Sequence, residues 1–161
     1  MLLEGETSKL SAMKVVNSPL NKEYDQLMKR IQVYNETFMT MMTDYKNSQG
    51  DKATLEKVKK KMGAEDAEKL ALLDSLRQKN SELARIMAFN TFQSYQNNRK
   101  EGQVEGAYFA ESFFDYVDLE DTVYARLPFY YENVKNYATA LSTIGLKSPA
   151  QQVALDSLFA K

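Results

Sequence analysis

Carboxylates crowd together at one place in the chain, between residues 111 and 121. The group consists of Glu111, Asp115, Asp118, Glu120 and Asp121. Neighbouring carboxylates can bind Ca²⁺ or divide the roles of acid and base between them. A calcium-binding loop, however, needs Asp or Asn at alternate positions and a glycine at its sharp turn, whereas the spacing of this group is helical. We therefore expect Asp118 and Asp121 to cap helix ends and to pair with Arg126, with an enzyme that uses residues 115–121 as the alternative.

Histidine and cysteine are both absent from the 161 residues of the chain. Without cysteine there is no thiolate nucleophile, disulfide or redox pair, and without histidine there is no imidazole base and no ordinary zinc or haem ligand set. Carboxylate, lysine or tyrosine chemistry would be all that remained. The sequence therefore predicts no catalytic residue, no cofactor and no metal site.

Methionines cluster at positions 39, 41 and 42, directly after Phe38. Unbranched thioethers fit many apolar partners, so Met-rich surfaces are typical of adaptable binding sites. Only Met41 shares a helical face with Phe38, which predicts that Met39 or Met42 is partly exposed. We interpret Met39, Met42 and Tyr45 as a candidate protein-interaction surface, with filling of the core as the alternative.

Lysines at positions 57, 59, 60 and 61 form a basic stretch. Glutamates lie close by at 56, 65 and 68, a pattern that is typical of a solvated helix face. The whole chain has 21 Lys and Arg against 22 Asp and Glu, a formal net charge of -1. That balance gives no field that would attract nucleic acid, so we expect proteins rather than nucleic acids as partners.

The elements that must position these residues are helical. Glycine and proline number only six and three, and Ser18 before Pro19 is a helix-start signal. From there, apolar residues recur at alternating spacings of four and three, which predicts one helix over 19–48, roughly 45 Å long. The repeat comprises Leu20, Tyr24, Leu27, Ile31, Tyr34, Phe38, Met41 and Tyr45. A turn composition at 47–50 and a capping Asp51 predict a second, antiparallel helix. A kink or local unwinding is predicted at 63–66, where the spacing fails beside Gly63.

The second half of the chain predicts a small aromatic-rich bundle. Ten of the 18 aromatic residues lie between Tyr108 and Tyr137, which places the core there. Helices are predicted from residue 80 or 81 up to a loop at 93–102, over 104–117, from Pro128 to a stop at Gly145, and from Pro149 onward. The predicted fold class is all-α, with a long antiparallel hairpin over about 18–78 that projects from a bundle over about 80–161.

The first 17 residues are predicted to be extended at 2–6 and 14–16, which is too little for a sheet. Residues 18–161 are predicted to form one helical domain, because a chain with 43% hydrophobic residues can bury a single core. No stretch has the character of a signal sequence or of a membrane span. The start is similar to the tail of a preceding β-domain and the end lies early in a helical pattern, so we expect part of a longer, soluble protein. Self-association is also expected, since the bundle is too small to cover so long a hairpin.

One stretch of the second half resembles a known family. An aromatic-rich helix leads into an acidic segment, and an arginine and a proline then open the next helix. The residues that carry the resemblance are Tyr108, Phe109, Asp118, Leu119, Asp121, Arg126 and Pro128. This order is similar to that of the helical segment of Bacteroides-type thioredoxin-like envelope proteins. The strand-like start followed by residues 18–21 is similar to that family's junction between an N-terminal β-domain and a long charged hairpin.

The resemblance implies a periplasmic or envelope protein with a small β-domain, this helical region and a C-terminal thioredoxin fold whose two cysteines perform thiol-disulfide exchange. No residue of this chain corresponds to those cysteines. We therefore expect a non-catalytic accessory, spacer or protein-interaction domain of a thiol-disulfide oxidoreductase-like protein. A free-standing helical adaptor or chaperone-like binder is the alternative.

Overall fold

The computed structural model describes residues 3–4, 14–15, 18–127 and 129–144, and within these ranges the predicted all-α fold class is confirmed. The helices are α1 (Pro19–Asn47), α2 (Lys52–Lys79), α3 (Ser81–Phe89), α4 (Tyr95–Asn98), α5 (Glu105–Ser112) and α6 (Tyr130–Ile144), with a 3₁₀ turn at Tyr124–Arg126. Near the N-terminus, two-residue strands β1 (Leu3–Glu4) and β2 (Lys14–Val15) pair antiparallel. The predicted stop at Gly145 and the last predicted helix lie outside the described residues.

The buried face of α1 is the seven-residue repeat seen in the sequence. Four members of the repeat are buried, namely Leu27, Ile31, Tyr34 and Met41. Three are half-buried, and Leu20 is exposed. At the start of the helix the Asn21 N–H donates to Ser18 Oγ at 3.3 Å, which satisfies one of the free amides of the first turn. The described residues fall into two compact units, one ending at Thr40 and the other beginning at Met41.

The second unit begins with the last turns of α1 and a tight connection to α2. Ser48 is buried and donates from its Oγ to the Asp44 carbonyl at 2.6 Å, which closes the end of α1. Asp51 caps α2 as predicted, since its Oδ1 accepts the Ala53 N–H at 3.0 Å. Beside this connection, a small core of Met41, Val58 and Met62 forms, with Met42 and Tyr45 packed against it. The hairpin over its full predicted length of 18–78 stays a prediction.

The local unwinding predicted in α2 is wrong, because the helix runs without interruption from Lys52 to Lys79, and a kink there stays a prediction. Its buried positions are Val58, Met62, Asp66, Lys69 and Leu73. Their spacing of four, four, three and four is a single helical stripe, and the spacing in the sequence failed only because two members of the stripe are charged. Gly63 does not break the helix, and a Cβ there would lie 3.4 Å from Asn97 Nδ2.

Asn80 separates α2 from α3 and serves both helices. Its backbone N–H donates to the Leu76 carbonyl at 2.7 Å, which ends α2. Its side-chain Oδ1 accepts the Glu82 and Leu83 N–H groups at 3.1 and 3.2 Å, which caps α3. One residue therefore makes the connection between two helices, and the predicted start of α3 is confirmed.

The helix predicted over 104–117 is shorter, because α5 ends at Ser112. The next residues form tight turns in which the Asp115 N–H donates to the Ser112 carbonyl and the Val117 N–H donates to the Phe114 carbonyl. These turns bring Phe113 and Phe114 against Tyr137, with ring centroids 5.2 and 4.9 Å apart. The predicted loop at 93–102 also contains the single helical turn α4.

The aromatic core predicted in the second half of the chain is present. Around Ala110, Tyr137 and Leu141, which are buried, three phenylalanines pack at the junction of α5 and α6. The network extends beyond the predicted region to Phe89 at the end of α3 and to Phe92. Phe89 packs edge-on against Tyr124, with centroids 5.0 Å apart.

Candidate functional site

A buried carboxylate forms the most connected polar site within the described residues of the second unit. Asp66, on the inner stripe of α2, is 5% exposed. Its Oδ2 accepts hydrogen bonds from Ser94 Oγ at 2.6 Å, from the Ser94 N–H at 3.0 Å and from Asn98 Nδ2 at 3.0 Å. Asn97 Nδ2 in turn donates to Ser94 Oγ at 3.1 Å and to the Lys59 carbonyl at 2.9 Å. The network fastens α4 to the middle of α2.

Three tyrosines of the second unit, two of them near this network, are held in the neutral form. Tyr108 donates to the Gln93 carbonyl at 3.2 Å, and Tyr116 donates to Gln93 Oε1 at 2.8 Å. Burial, and then the negative charges of Asp66 and Asp115, raise the pKa of Tyr108 to about 12. Burial likewise raises the pKa of Tyr116 and, to about 12, that of Tyr137. These phenols are hydrogen-bond donors to the fold rather than bases.

A buried ion pair between Lys69 and Glu65 lies close to Asp66 on α2. Lys69 Nζ is 2.9 Å from Glu65 Oε1, and both side chains are less than one tenth exposed. Glu65 Oε1 has no partner with hydrogen-bond geometry within the described residues, so the contact is an attraction between charges rather than a directed hydrogen bond. Removing the Lys69 charge would leave the Glu65 carboxylate buried without this cation, which is costly.

A groove of about 680 Å³ lies between the last turn of α1 and the first half of α2. Asp44, Asn47 and Ser48 contribute one wall. The other wall comes from one stripe of α2 with Lys60 beside it; its members are Thr54, Lys57, Val58, Lys61 and Ala64. Both walls belong to the second unit, and three of the nine residues that line the groove are lysines, whose stems contribute apolar surface.

The lysines that border the groove carry unbalanced charge. Lys57, Lys60 and Lys61 are exposed, and no ion pair involves any of them within the described residues. Lys59, which points elsewhere on the helix, is the one lysine of the predicted basic stretch with an ion pair, to Glu56 at 3.1 Å. Among the described residues that line the groove, Asp44 is the one acidic side chain beside these three lysines. The groove is therefore suited to an occupant that combines apolar side chains with negative charge.

The acidic group predicted from the sequence does not converge on one point. Glu111 lies 3.3 Å from Lys100 Nζ on the surface. Asp118 Oδ1 accepts the Glu120 N–H at 3.0 Å, and Asp121 Oδ1 accepts the Val123 N–H at 3.0 Å, so both carboxylates stabilise turns. Within the described residues, no group of three or more acidic side chains is arranged to hold a metal ion.

The cation that pairs with Asp121 is Arg85 rather than Arg126. Arg85 Nε donates to Asp121 Oδ2 at 2.7 Å, because α3 runs alongside the turn that follows Asp118. The Val123 amide and then Arg85 lower the pKa of Asp121. Arg126 lies at the end of the 3₁₀ turn and is exposed.

The candidate protein-interaction residues occupy different environments. Met39 is 66% exposed. Met42 and Tyr45 are half-buried against the Met41 core, and Met42 Sδ accepts a weak hydrogen bond from Gln96 Nε2 at 3.6 Å. Met42 and Tyr45 thus contribute to the second unit's own packing, and an interaction role for the three residues stays a prediction.

Comparisons with known proteins do not assign the chain to a family: no family model, no curated protein and no solved structure matches it. Within the described part of the chain, no helix combines the length and the apolar character that crossing a bilayer requires.

Sequence reasoning did not identify the Asp66 network or the groove. The signal for the network was present, since Asp66 and Lys69 continue the spacing of Val58 and Met62 towards Leu73. A charged residue that falls on an apolar stripe indicates a buried partner. No comparable signal in the sequence marked Ser94 as that partner, because the two residues are 28 positions apart.

Proposed function

We propose that this chain is a non-catalytic, helical protein-interaction domain of a thiol-disulfide oxidoreductase-like protein of the cell envelope. The contrast between two sets of ionisable groups carries the interaction part of the proposal. In the interior, Asp66 and the tyrosines at 108, 116 and 137 are committed to hydrogen bonds that hold the fold. At the surface, three lysines border a groove and have no ion pair within the described residues.

The non-catalytic part is supported by the chemistry of the interior groups. A general base needs a free lone pair and a pKa near the working pH. Asp66 accepts four hydrogen-bond contacts from Ser94 and Asn98, and the raised pKa of Tyr108 keeps its phenol protonated. The chain also contains no cysteine and no histidine. These groups stabilise a binding surface better than they would perform a reaction.

The class of the parent protein rests on the resemblance of residues 108–129 to the helical segment of thioredoxin-like envelope proteins. In such a protein the cysteines lie on a separate thioredoxin fold, and this domain would present a partner to it or hold it at a distance. The periplasmic or envelope location has the same basis.

A free-standing helical adaptor is the second candidate. It is favoured by one observation: the groove is built entirely from residues 44–64, so it is complete without another domain. Such an adaptor would use the same lysines but would have no redox domain beside it.

The reading frame that encodes this chain separates the two candidates. For the accessory domain, we expect the frame to continue beyond Lys161 into a thioredoxin-like segment with a Cys-x-x-Cys sequence. A stop codon directly after Lys161 would overturn the accessory-domain proposal and leave the adaptor. If these carboxylates only stabilise turns, the double variant Asp118→Asn with Asp121→Asn should have a lower melting temperature. It should not abolish any catalytic activity of the protein. Loss of turnover by a domain that is still folded would instead support catalysis by these carboxylates.

A further inference from the structure

The positive charge and the apolar surface of the groove indicate what kind of segment could bind there. Lys57 and Lys61 lie one turn apart on the same stripe of α2, Lys60 lies beside them, and all three are exposed. Between them, the apolar contributions of Val58 and Ala64 face the groove. A short segment with an exposed apolar side chain between carboxylates would match both the charge and the apolar surface.

The chain itself carries such a segment at residues 115–120, which we call the acidic turn. Leu119 is 43% exposed at its tip. Asp115, Asp118 and Glu120 are exposed around it, and no cation forms an ion pair with any of them within the described residues. The acidic turn therefore offers one apolar side chain between three carboxylates.

The acidic turn is held in shape before any partner arrives. Asp118 Oδ1 accepts the Glu120 N–H at 3.0 Å, and the Asp118 carbonyl accepts the Asp121 N–H at 3.1 Å. The ion pair between Asp121 and Arg85 anchors the end of the turn to α3. Because these bonds already order the backbone, less conformational entropy is lost when the turn is bound.

The acidic turn cannot reach the groove of its own chain. Arg77 Nη2 lies 3.5 Å from the Tyr116 carbonyl, so the turn is next to the C-terminal end of α2. Lys57 lies in the first turns of the same uninterrupted helix. The 20 residues that separate Lys57 from Arg77 correspond to about 30 Å at the rise of an α-helix. Contact between the turn and the groove is therefore possible only between two molecules.

We propose that the groove of one copy of this chain binds the acidic turn of a second copy. This inference rests on the proposed protein-interaction function and names the partner. Leu119 enters the groove between the stems of Lys57 and Lys61, and the carboxylates of Asp115 and Glu120 face the ammonium groups. Since the two surfaces are different, the contact is heterologous, and it generates either a closed ring or a longer assembly.

A charge exchange tests this contact. The groove variant K57E/K61E places acidic residues opposite the acidic turn, and the turn variant D115K/E120K places basic residues opposite the basic groove. Asp118 is kept because it orders the turn. We expect each variant alone to be at least about tenfold weaker in self-association than wild type, as measured by light scattering against the 18.4 kDa monomer mass.

Mixing the two variants gives the sharper result. In the mixture, the glutamates of the groove variant meet the lysines of the turn variant, and the unchanged groove meets the unchanged turn. We expect association to recover to near the wild-type level, and to weaken when salt is raised to about 0.5 M, where charges are strongly screened. The control K29E/K135E lowers the net charge by the same amount as the groove variant, on exposed lysines outside the groove, and should associate as wild type does.

The proposed contact is overturned if the wild-type protein stays at the monomer mass up to about 1 mM. It is also overturned if a mixture of the two variants associates no better than each variant alone. Binding of a different acidic protein to a monomeric wild type would also overturn it, because the occupant would then not be a second copy. None of these outcomes decides the proposed accessory function, which fails separately if the reading frame stops after Lys161.

Discussion

Replacing Asp66 by alanine removes the carboxylate that accepts the hydrogen bonds of Ser94 in the interior of the second unit. In the wild type, this carboxylate accepts the Ser94 N–H, the Ser94 Oγ–H and an Asn98 N–H. Ser94 is 1% exposed, so water cannot replace the lost partner for its two donors. Asn98 is exposed and can be hydrated. The main loss of stability in Asp66→Ala therefore comes from two unsatisfied hydrogen-bond donors on Ser94.

The expected loss in the free energy of unfolding follows from the two donors of Ser94 that lose their acceptor. A buried donor left without a partner costs about 1–3 kcal/mol, so two of them lower the free energy of unfolding by roughly 3 kcal/mol. Asp66→Asn keeps one oxygen and should cost about half as much. Asp74→Ala is the matched control, because Asp74 lies on the same helix but is 67% exposed and pairs only with Arg77 at 3.2 Å. An exposed pair of this kind is worth about 1 kcal/mol or less.

Urea denaturation followed by circular dichroism measures the difference. With a urea dependence of about 2 kcal/mol per molar, Asp66→Ala should shift the midpoint down by about 1.5 M, well beyond the shift of Asp74→Ala. Hydrogen exchange gives a local measurement, since the Ser94 amide should lose its protection in Asp66→Ala and keep it in Asp74→Ala. If the two alanine variants unfold within about 0.5 M urea of each other, the bonds to Ser94 contribute no more than a surface pair, and the reasoning is refuted.

Three further changes test other parts of the fold. Tyr137→Phe removes the 2.7 Å hydrogen bond to the Ala110 carbonyl and should cost about 1 kcal/mol in urea denaturation. Because burial raises the pKa of Tyr137 to about 12, the folded state keeps a proton that the unfolded chain releases near pH 10; stability therefore falls between pH 10 and 12, and the fall should be smaller in Tyr137→Phe. Gly63→Ala should raise the melting temperature, since alanine favours a helix interior by about 1 kcal/mol and its Cβ meets only an amide at 3.4 Å; a clear drop would mean that Asn97 cannot yield. Asp121 has a lowered pKa, so its contribution is present above about pH 4 and is lost as the pH falls through the folded-state pKa; acid melting curves of wild type and Asp121→Asn should converge at low pH, and a constant difference would contradict the assignment.

The helices could be predicted where local chemistry determines them. The repeat from Leu20 to Tyr45 and the caps at Asp51 and Asn80 depend on neighbours within one or two turns, and the sequence displays those neighbours directly. The clustering of aromatic residues likewise indicated the core around Tyr137.

Features that depend on distant partners could not be predicted in the same way. The apolar spacing fails beside Gly63 because Asp66 is buried against Ser94, which lies 28 positions away, and the helix continues through this point without unwinding. Arg85, rather than the nearby Arg126, pairs with Asp121, because the packing of α3 and not the distance along the chain decides which cation is close. The groove has no sequence signal, since only the turn at 48–51 brings Asp44 opposite Lys57 and Lys61.

The bonds of Asp66 also determine where along α2 the loop of residues 91–103 is attached. Apolar side chains such as Met62 and Leu73 gain nearly as much from neighbouring positions along a helix, since the hydrophobic effect has no direction. A carboxylate that must meet two donors of Ser94 within 3.0 Å permits a single register, because a shift of one helical turn, about 5.4 Å, would break every bond at once. Asp66, a charged residue in the middle of the apolar stripe, therefore makes the packing unique. Its bonds fix the position of residues 91–103 along the 28-residue helix α2.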